Sequence, residues 1–363
     1  MTTPQSDTAK TEAFVGRLFK AAVDAIDLFS VYLGDRLGLY RALADSKPVT
    51  YAELARLAGI HPRYAREWLE QQAVTAFLEV DNTDAPAEKR RYTLPAAHVP
   101  VFTDPESPFS MAPLARAVAS FGPVLPQLLE AYKTGGGVPW SAYGRDGIEA
   151  QGDFNRPWLL ASFGNDYLPS IPDVHSRLQA NPPAKVLDVA CGVGWSSIAI
   201  AKAYPKAKVL ALDLDELSIK IGLENAVTAG VDRRITFETR DIVSNPPRDR
   251  YDLAVVIEAI HDMSKPVELL RAIRNVLKPT GVLIVADERV ADKFTLGDDL
   301  ERLFYRASIM LCLPTGMAEQ PSAATGTVIR TDTMRKYAAE AGFHDMQVLS
   351  IEHPALRFYR LTR

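Results

Sequence analysis

The sequence has 363 residues, 47% apolar and 24% charged, with 41 basic against 45 acidic residues and a net charge of −4. That composition excludes disorder as the main state, and the length predicts two domains with a connector. The balanced charge leaves no footprint for nucleic acid or an anionic membrane, and the two cysteines, Cys191 and Cys312, exclude a disulfide framework or a cysteine-rich zinc site. No long apolar run and a polar start, MTTPQSDTAK, predict neither a membrane span nor a secretory leader, and hence a cytoplasmic protein.

Residues 1–10 read as a loose tail. Val15, Leu18, Phe19, Ala22, Ile26, Phe29 and Leu33 then recur at spacings of three and four, an apolar stripe along one long helix. The stripe is more apolar than one small domain needs, which predicts packing across a two-fold axis in a homodimer. A short helix is expected over 36–43, and Thr50-Tyr51-Ala52-Glu53 forms a capping box that opens another helix, ending near Gly59. A third follows from Pro62, with Tyr64, Ala65, Trp68 and Leu69 as its buried face. Two short apolar runs, 76–80 and 91–94, flank a polar turn, completing a winged-helix pattern.

A winged helix suggests DNA binding, so charge decides. Between Asp45 and Arg91 there are seven basic and eight acidic residues, and the third helix carries Glu67 and Glu70 beside Arg63 and Arg66. Phosphate contacts dominate nucleic-acid affinity, and this face cannot supply them. A dimerisation and lid module is the expected role, with no nucleic-acid partner.

Residues 111–180 read as a helical connector and substrate lid. Phe121, Leu125, Leu128, Leu129 and Tyr132 form one helix face, Gly135-Gly136-Gly137 breaks it, and a further helix runs from Phe154 to about Leu168. Trp140, Tyr143, Trp158, Phe163, Phe304 and Met310 are candidate pocket-lining residues. From 181 onward strands alternate with helices: 185–189, 209–214, 235–239, 253–257 and 282–286, then a closing pair at 347–351 and 358–361. The expectation is an α/β, Rossmann-like, seven-stranded, mainly parallel sheet behind an N-terminal winged-helix domain, with boundaries at 1–110, 111–180 and 181–363.

The first of these strands runs into Asp188-Val189-Ala190-Cys191-Gly192-Val193-Gly194, and a helix opens at Trp195. Such a turn brings a ligand close to backbone amides. The dinucleotide spacing G-x-G-x-x-G/A fails here, because Ser197 or Trp195 falls at its third position. Asp188 would also repel a pyrophosphate, which counts against a nicotinamide oxidoreductase. A cationic, phosphate-free cofactor suits a strand-end acid better.

At this point the sequence resembles the class I S-adenosylmethionine-dependent methyltransferases, whose first motif is an acid followed by three alternating glycines. Asp188, Ala190, Gly192 and Gly194 match it, with Ala190 in place of the first glycine. The resemblance implies S-adenosylmethionine as cofactor and no metal. Asp213, 19 residues after Gly194, would hold the ribose hydroxyls, while Asp215 suits a helix cap. Leu214 would lie against the adenine, Asp241 would meet its amino group with Ile242 beside it, and Glu258 would sit near the methionine part.

The fourth of these strands continues into Glu258-Ala259-Ile260-His261-Asp262-Met263. His261 stands at the carboxyl end of a central parallel strand, where such sheets bind ligands. The stretch resembles the His-Asp-Trp of small-molecule O-methyltransferases with an N-terminal winged-helix dimerisation domain, in which the histidine is the general base; Met263 replaces the tryptophan. A bacterial subgroup of unsettled substrate is the nearest likeness. Asp287 stands where those enzymes carry an orienting glutamate, and Glu288 is next to it. Strand neighbours alternate, so only one of the two is expected to face the site, with Asp287 preferred. The function implied is methyl transfer to a small aromatic or hydroxylated molecule, O-methylation favoured. N- or C-methylation by proximity alone, a non-catalytic scaffold and a winged-helix ligand-sensing transcription regulator are the alternatives.

Overall fold

The computed structural model describes residues 6–363, and the chain divides into two compact units at Ala119/Ser120. Residues 1–5 of the expected tail lie outside the described residues. The rest of it is helical, because Ser6 caps α1 (Asp7–Arg36) by accepting from the Ala9 amide at 3.3 Å.

In the first unit the apolar row of α1 faces outward, with Phe19 72% and Ile26 65% exposed. The helix seats its carboxyl end instead: a Cβ on Gly34 would lie 2.5 Å from the Tyr40 ring and 2.6 Å from Trp68. Next come α2 (Leu39–Ala44) and α3 (Tyr51–Ala58), the latter opened by the reciprocal Thr50–Glu53 capping box and closed by left-handed Gly59. On α4 (Pro62–Val74) the buried residues are Ala65, Trp68, Leu69 and Gln72, whereas Tyr64 is 76% exposed. Tyr64 falls about 100° around the helix from Ala65, off the stripe. Gln72 completes that stripe, and the Tyr40 hydroxyl donates to its Oε1 at 2.6 Å. Strands β1 (Glu79–Val80) and β2 (Tyr92–Thr93) form the antiparallel wing, followed by α5 (Val99–Phe102) and α6 (Ala112–Phe121).

The first complete α-helix of the second unit is α7 (Leu125–Thr134). Of the helix face expected there, Leu128 is buried but Leu125, Leu129 and Tyr132 are exposed. Then α8 (Gly144–Trp158) runs straight into a π-helical stretch, Leu159–Tyr167, and α9 (Pro172–Gln179) leads to the sheet.

The sheet comprises β3 (Lys185–Val189), β4 (Lys208–Asp213), β5 (Ile235–Thr239), β6 (Tyr251–Ile257), β7 (Leu277–Glu288), β8 (Asp345–Val348) and β9 (Leu356–Thr362), in the order β5-β4-β3-β6-β7-β9-β8. All pairs are parallel except those of β9, which lies antiparallel between β7 and β8. Helices α10 (Trp195–Ala203), α11 (Glu216–Thr228), α12 (Pro266–Val276), α13 (Asp299–Ala307), α14 (Leu313–Gly316) and α15 (Thr331–Glu340) complete the unit. Alternate strand residues enter two cores: Val186 and Val255 in one, Leu187 and Val256 in the other. The sheet thus places the ends of the adjacent strands β3 and β6 side by side.

Candidate active site

Three residues after β3 adopt left-handed backbone: Ala190 at φ 57°, Gly192 at 51° and Gly194 at 83°. The alternation folds the loop so that α10 starts at Trp195. A Cβ on Gly192 would meet nothing within 4 Å, whereas one on Gly194 would lie 2.8 Å from the Phe237 ring. Gly192→Ala should therefore cost about 1 kcal/mol of left-handed strain alone. Gly194→Ala adds a clash with a packed ring, so its melting temperature in ligand-free thermal denaturation should fall well below that of Gly192→Ala.

Asp188 is buried at the end of β3, and its Oδ2 accepts from both Ser196 and Ser197 hydroxyls at 2.6 Å. It therefore braces the start of α10, and burial pushes its pKa up to about 6. Asp213 ends β4 with both oxygens engaged: Oδ2 accepts the Gly192 amide at 2.8 Å and Oδ1 the Asp215 amide at 2.9 Å. Asp215 caps α11 by accepting from the Ser218 amide at 2.7 Å. Leu214, between them, is 63% exposed. Asp241 closes its own turn, accepting from the Val243 amide at 2.8 Å and the Ser244 hydroxyl at 2.6 Å, while Ile242 is buried in the core.

At the end of β6, Glu258 has left-handed backbone, with φ 49°. Its Oε2 accepts from Gln151 Nε2 at 2.7 Å and Asn155 Nδ2 at 2.6 Å, both on α8. His261 follows on a short helical turn and is 2% exposed. Its Nδ1 lies 2.5 Å from Asp287 Oδ1 and 2.8 Å from Glu288 Oε2. The expectation that only one acid would face the histidine is corrected here. Alternation constrains Cβ directions, but Glu288 is the last residue of β7 and its longer side chain reaches round. One N–H cannot serve both; the hydrogen bond goes to Asp287, and Glu288 Oε2 has none.

Burial opposes the charged imidazole, but the Glu288 and Asp287 carboxylates outweigh it and push the His261 pKa well above its ordinary value. Burial opposes ionisation of Asp287 too, yet the His261 charge holds its carboxyl below the usual range; burial keeps Glu288 well above it.

A family profile described as "Methyltransferase domain" matches residues 181–337, and one described as "Rv2258c-like winged HTH domain" matches 25–104. The ubiquinone biosynthesis O-methyltransferase of Leptothrix cholodnii is 34% identical over 184 residues, 49% of this chain and 72% of that protein. This chain belongs to the S-adenosylmethionine-dependent methyltransferases. It is also similar to the tetracenomycin polyketide synthesis 8-O-methyl transferase TcmO of Streptomyces glaucescens, at 22% identity over 95% of this chain and 92% of that one. A solved structure titled "PigF with SAH" shares the methyltransferase fold: TM-score 0.71, 18% identity, 99% of this chain and 100% of that chain. Against other curated relatives the chain spans about half their length or less, 54%, 42% and 41%.

The methyltransferase cofactor fits these residues. The open backbone at Gly192, a strand-end carboxylate with lone pairs to spare on Asp213, and an exposed aliphatic surface at Leu214 suit a nucleoside carrying no phosphate. Sequence reasoning passed over Ser196, Ser197, Gln151 and Asn155. The two amides stand four apart on α8 and so share a helix face, a spacing that could have drawn attention to them. Of the candidate pocket residues, Phe163 and Phe304 are buried, and Trp158 packs edge-on against Phe163, His353 and Phe358. The Tyr143 hydroxyl donates to the Met310 carbonyl at 2.7 Å.

Proposed function

We propose that this protein transfers a methyl group from S-adenosylmethionine to a small aromatic or hydroxylated molecule, preferentially to oxygen, with His261 as general base. The observation that carries the reading is the 2.5 Å pairing of His261 Nδ1 with Asp287 at the carboxyl end of β6. That edge is also where the Gly192–Gly194 loop leaves the neighbouring β3. In this reading Gly192, Gly194, Asp213, Leu214 and Glu258 hold the cofactor, with Asp188, Ala190, Asp241 and Ile242 shaping the loops behind them.

When bound, S-adenosylmethionine supplies an electrophilic methyl on a sulfonium. The chain's own work is to position the acceptor and take its proton. Alignment of reactants is worth on the order of 7–11 kcal/mol. Nδ1 is committed to Asp287, so Nε2 accepts the hydroxyl proton, and Asp287 stabilises the imidazolium that forms. Incubation with labelled methyl donor and a panel of phenols, amines and cell extract tests the reading. Label transferred to a phenol or enol supports it, and transfer to amines at a rate independent of His261 would replace it with proximity catalysis.

The regulator alternative is disfavoured by pairing on α4, where Arg63 meets Glu67 and Arg66 meets Glu70. Those cations are already neutralised where a groove would need them. A cytoplasmic site of action agrees with two free, buried cysteines. Among the described residues, no helix is long and apolar enough to cross a membrane.

The same proposal includes a homodimer formed through α1. Its outward row, including Val15, Leu18, Phe19, Ile26 and Leu33, is too continuous to be left in water. The double substitution Phe19→Glu/Ile26→Glu should give monomers by light scattering without lowering the melting temperature of the second unit. A wild-type protein that is already monomeric at micromolar concentration would end this part of the reading.

A further inference from the structure

A carboxylate at the reacting edge is held in an unusual way. Glu258 leaves β6 with left-handed backbone, a conformation that costs a non-glycine residue on the order of 1 kcal/mol or more and persists only where neighbours enforce it. The enforcement is visible: its amide donates to the Ala286 carbonyl at 2.7 Å, and two side-chain amides from α8 converge on one carboxylate oxygen. Asn155 is itself fixed, because its Oδ1 accepts from Trp158 Nε1 at 2.8 Å. On the same helix a Cβ on Gly152 would strike Val193 of the glycine loop, and Arg156 stacks 4.2 Å over the Trp195 ring. So α8 is pressed against the loop that follows β3, and two of its amides aim Glu258.

Burial raises the Glu258 pKa, and the two N–H groups offered to Oε2 oppose that by favouring the ionised carboxylate. The group stands three residues before His261 and within electrostatic reach of both His261 and Asp287. It therefore sets a carboxylate beside His261 and Asp287, where the proposed function puts methyl transfer. Among the described residues no lysine or arginine pairs with it; its two hydrogen-bond partners are neutral, and the one cationic group acting on it is His261, so the carboxylate has no direct ion pair.

We propose that Glu258, aimed by Gln151 and Asn155, is the counter-charge for the sulfonium of the methyl donor, and that it makes the site prefer the charged donor over the neutral thioether product. This rests on the methyltransferase reading of the site and adds a role for one carboxylate and two positioning amides. The physical consequence is directional. Transfer destroys the sulfonium charge, so the attraction holding the donor is absent in the product, and release is assisted without any movement of the protein.

The test is calorimetric titration of S-adenosylmethionine and S-adenosylhomocysteine into the wild-type protein and into Glu258→Gln, with no acceptor present. Glutamine can still accept both amides through its oxygen, so the cradle survives while the charge is lost. Affinity for S-adenosylmethionine should fall by about 10- to 100-fold, equivalent to about 1.4–2.8 kcal/mol, and affinity for S-adenosylhomocysteine by less than about threefold. Asn155→Ala should shift the same ratio in the same direction by a smaller factor, and Glu258→Asp, which keeps the charge, should retain a preference for the donor. Equal weakening of both ligands would assign Glu258 to the ammonium or to structure and overturn the proposal, as would no change in either. A wild-type protein that binds neither ligand would overturn the methyl-donor reading itself, a distinct result.

Discussion

His261→Ala is expected to lower turnover on the acceptor by about 10²- to 10⁴-fold while leaving S-adenosylmethionine affinity within a few-fold of wild type. The split follows from the geometry. His261 is tied to Asp287 and Glu288, whereas the residues proposed to hold the cofactor are the Gly192–Gly194 loop, Asp213 and Glu258. The pH profile carries a second expectation. A general base must be neutral to accept a proton, so kcat/KM should rise with pH as the imidazolium deprotonates. Two carboxylates hold the imidazole well above its ordinary pKa, against the opposing effect of burial, so the rising limb should lie on the alkaline side of the usual histidine range. Asp287→Asn removes the hydrogen-bonded charge. The limb should then move to lower pH and the plateau should drop, because the imidazole loses its orientation as well as its stabilised cation. Undiminished turnover in His261→Ala on the true acceptor would reduce the residue to a pocket wall.

Asp213→Ala should abolish detectable S-adenosylmethionine binding by calorimetry. Two charge-assisted hydrogen bonds to a ribose, at about 1.5–3 kcal/mol each, correspond to a loss of at least about 10²-fold. The structure adds a term that spacing could not reveal: the same carboxylate pins the Gly192 amide and the Asp215 amide. Alanine therefore leaves two amides without their acceptor and loosens the loop, and the ligand-free melting temperature should fall too. Asp213→Asn separates the effects, since its single carbonyl oxygen preserves part of the loop bonding while the charge is gone. Binding should remain weak in the Asp213→Asn variant even where the melting temperature recovers, and wild-type affinity in either variant would remove Asp213 from the cofactor site.

What the amino-acid order determined by itself was whatever depends on neighbours within about one helical turn or one strand. The Thr50–Glu53 capping box, the strand-to-helix turn at Gly192–Gly194 and the Asp215 cap are all of this kind, because residue type and spacing alone specify their hydrogen bonds. Side-chain direction across elements was not legible in the same way. Motif position makes Asp188 a candidate cofactor acid, and only the fold shows that α10 also brings two serine hydroxyls over it. Spacing predicts Tyr64 on a buried face that Gln72 completes in its stead. Both Asp287 and Glu288 reach His261, although a strand pleat argues for one. The hold of Gln151 and Asn155 on Glu258 joins positions more than 100 residues apart. Tertiary packing decided these because a side chain's partner is set by which distant element closes over it, and many sequences with the same local periodicity would close differently.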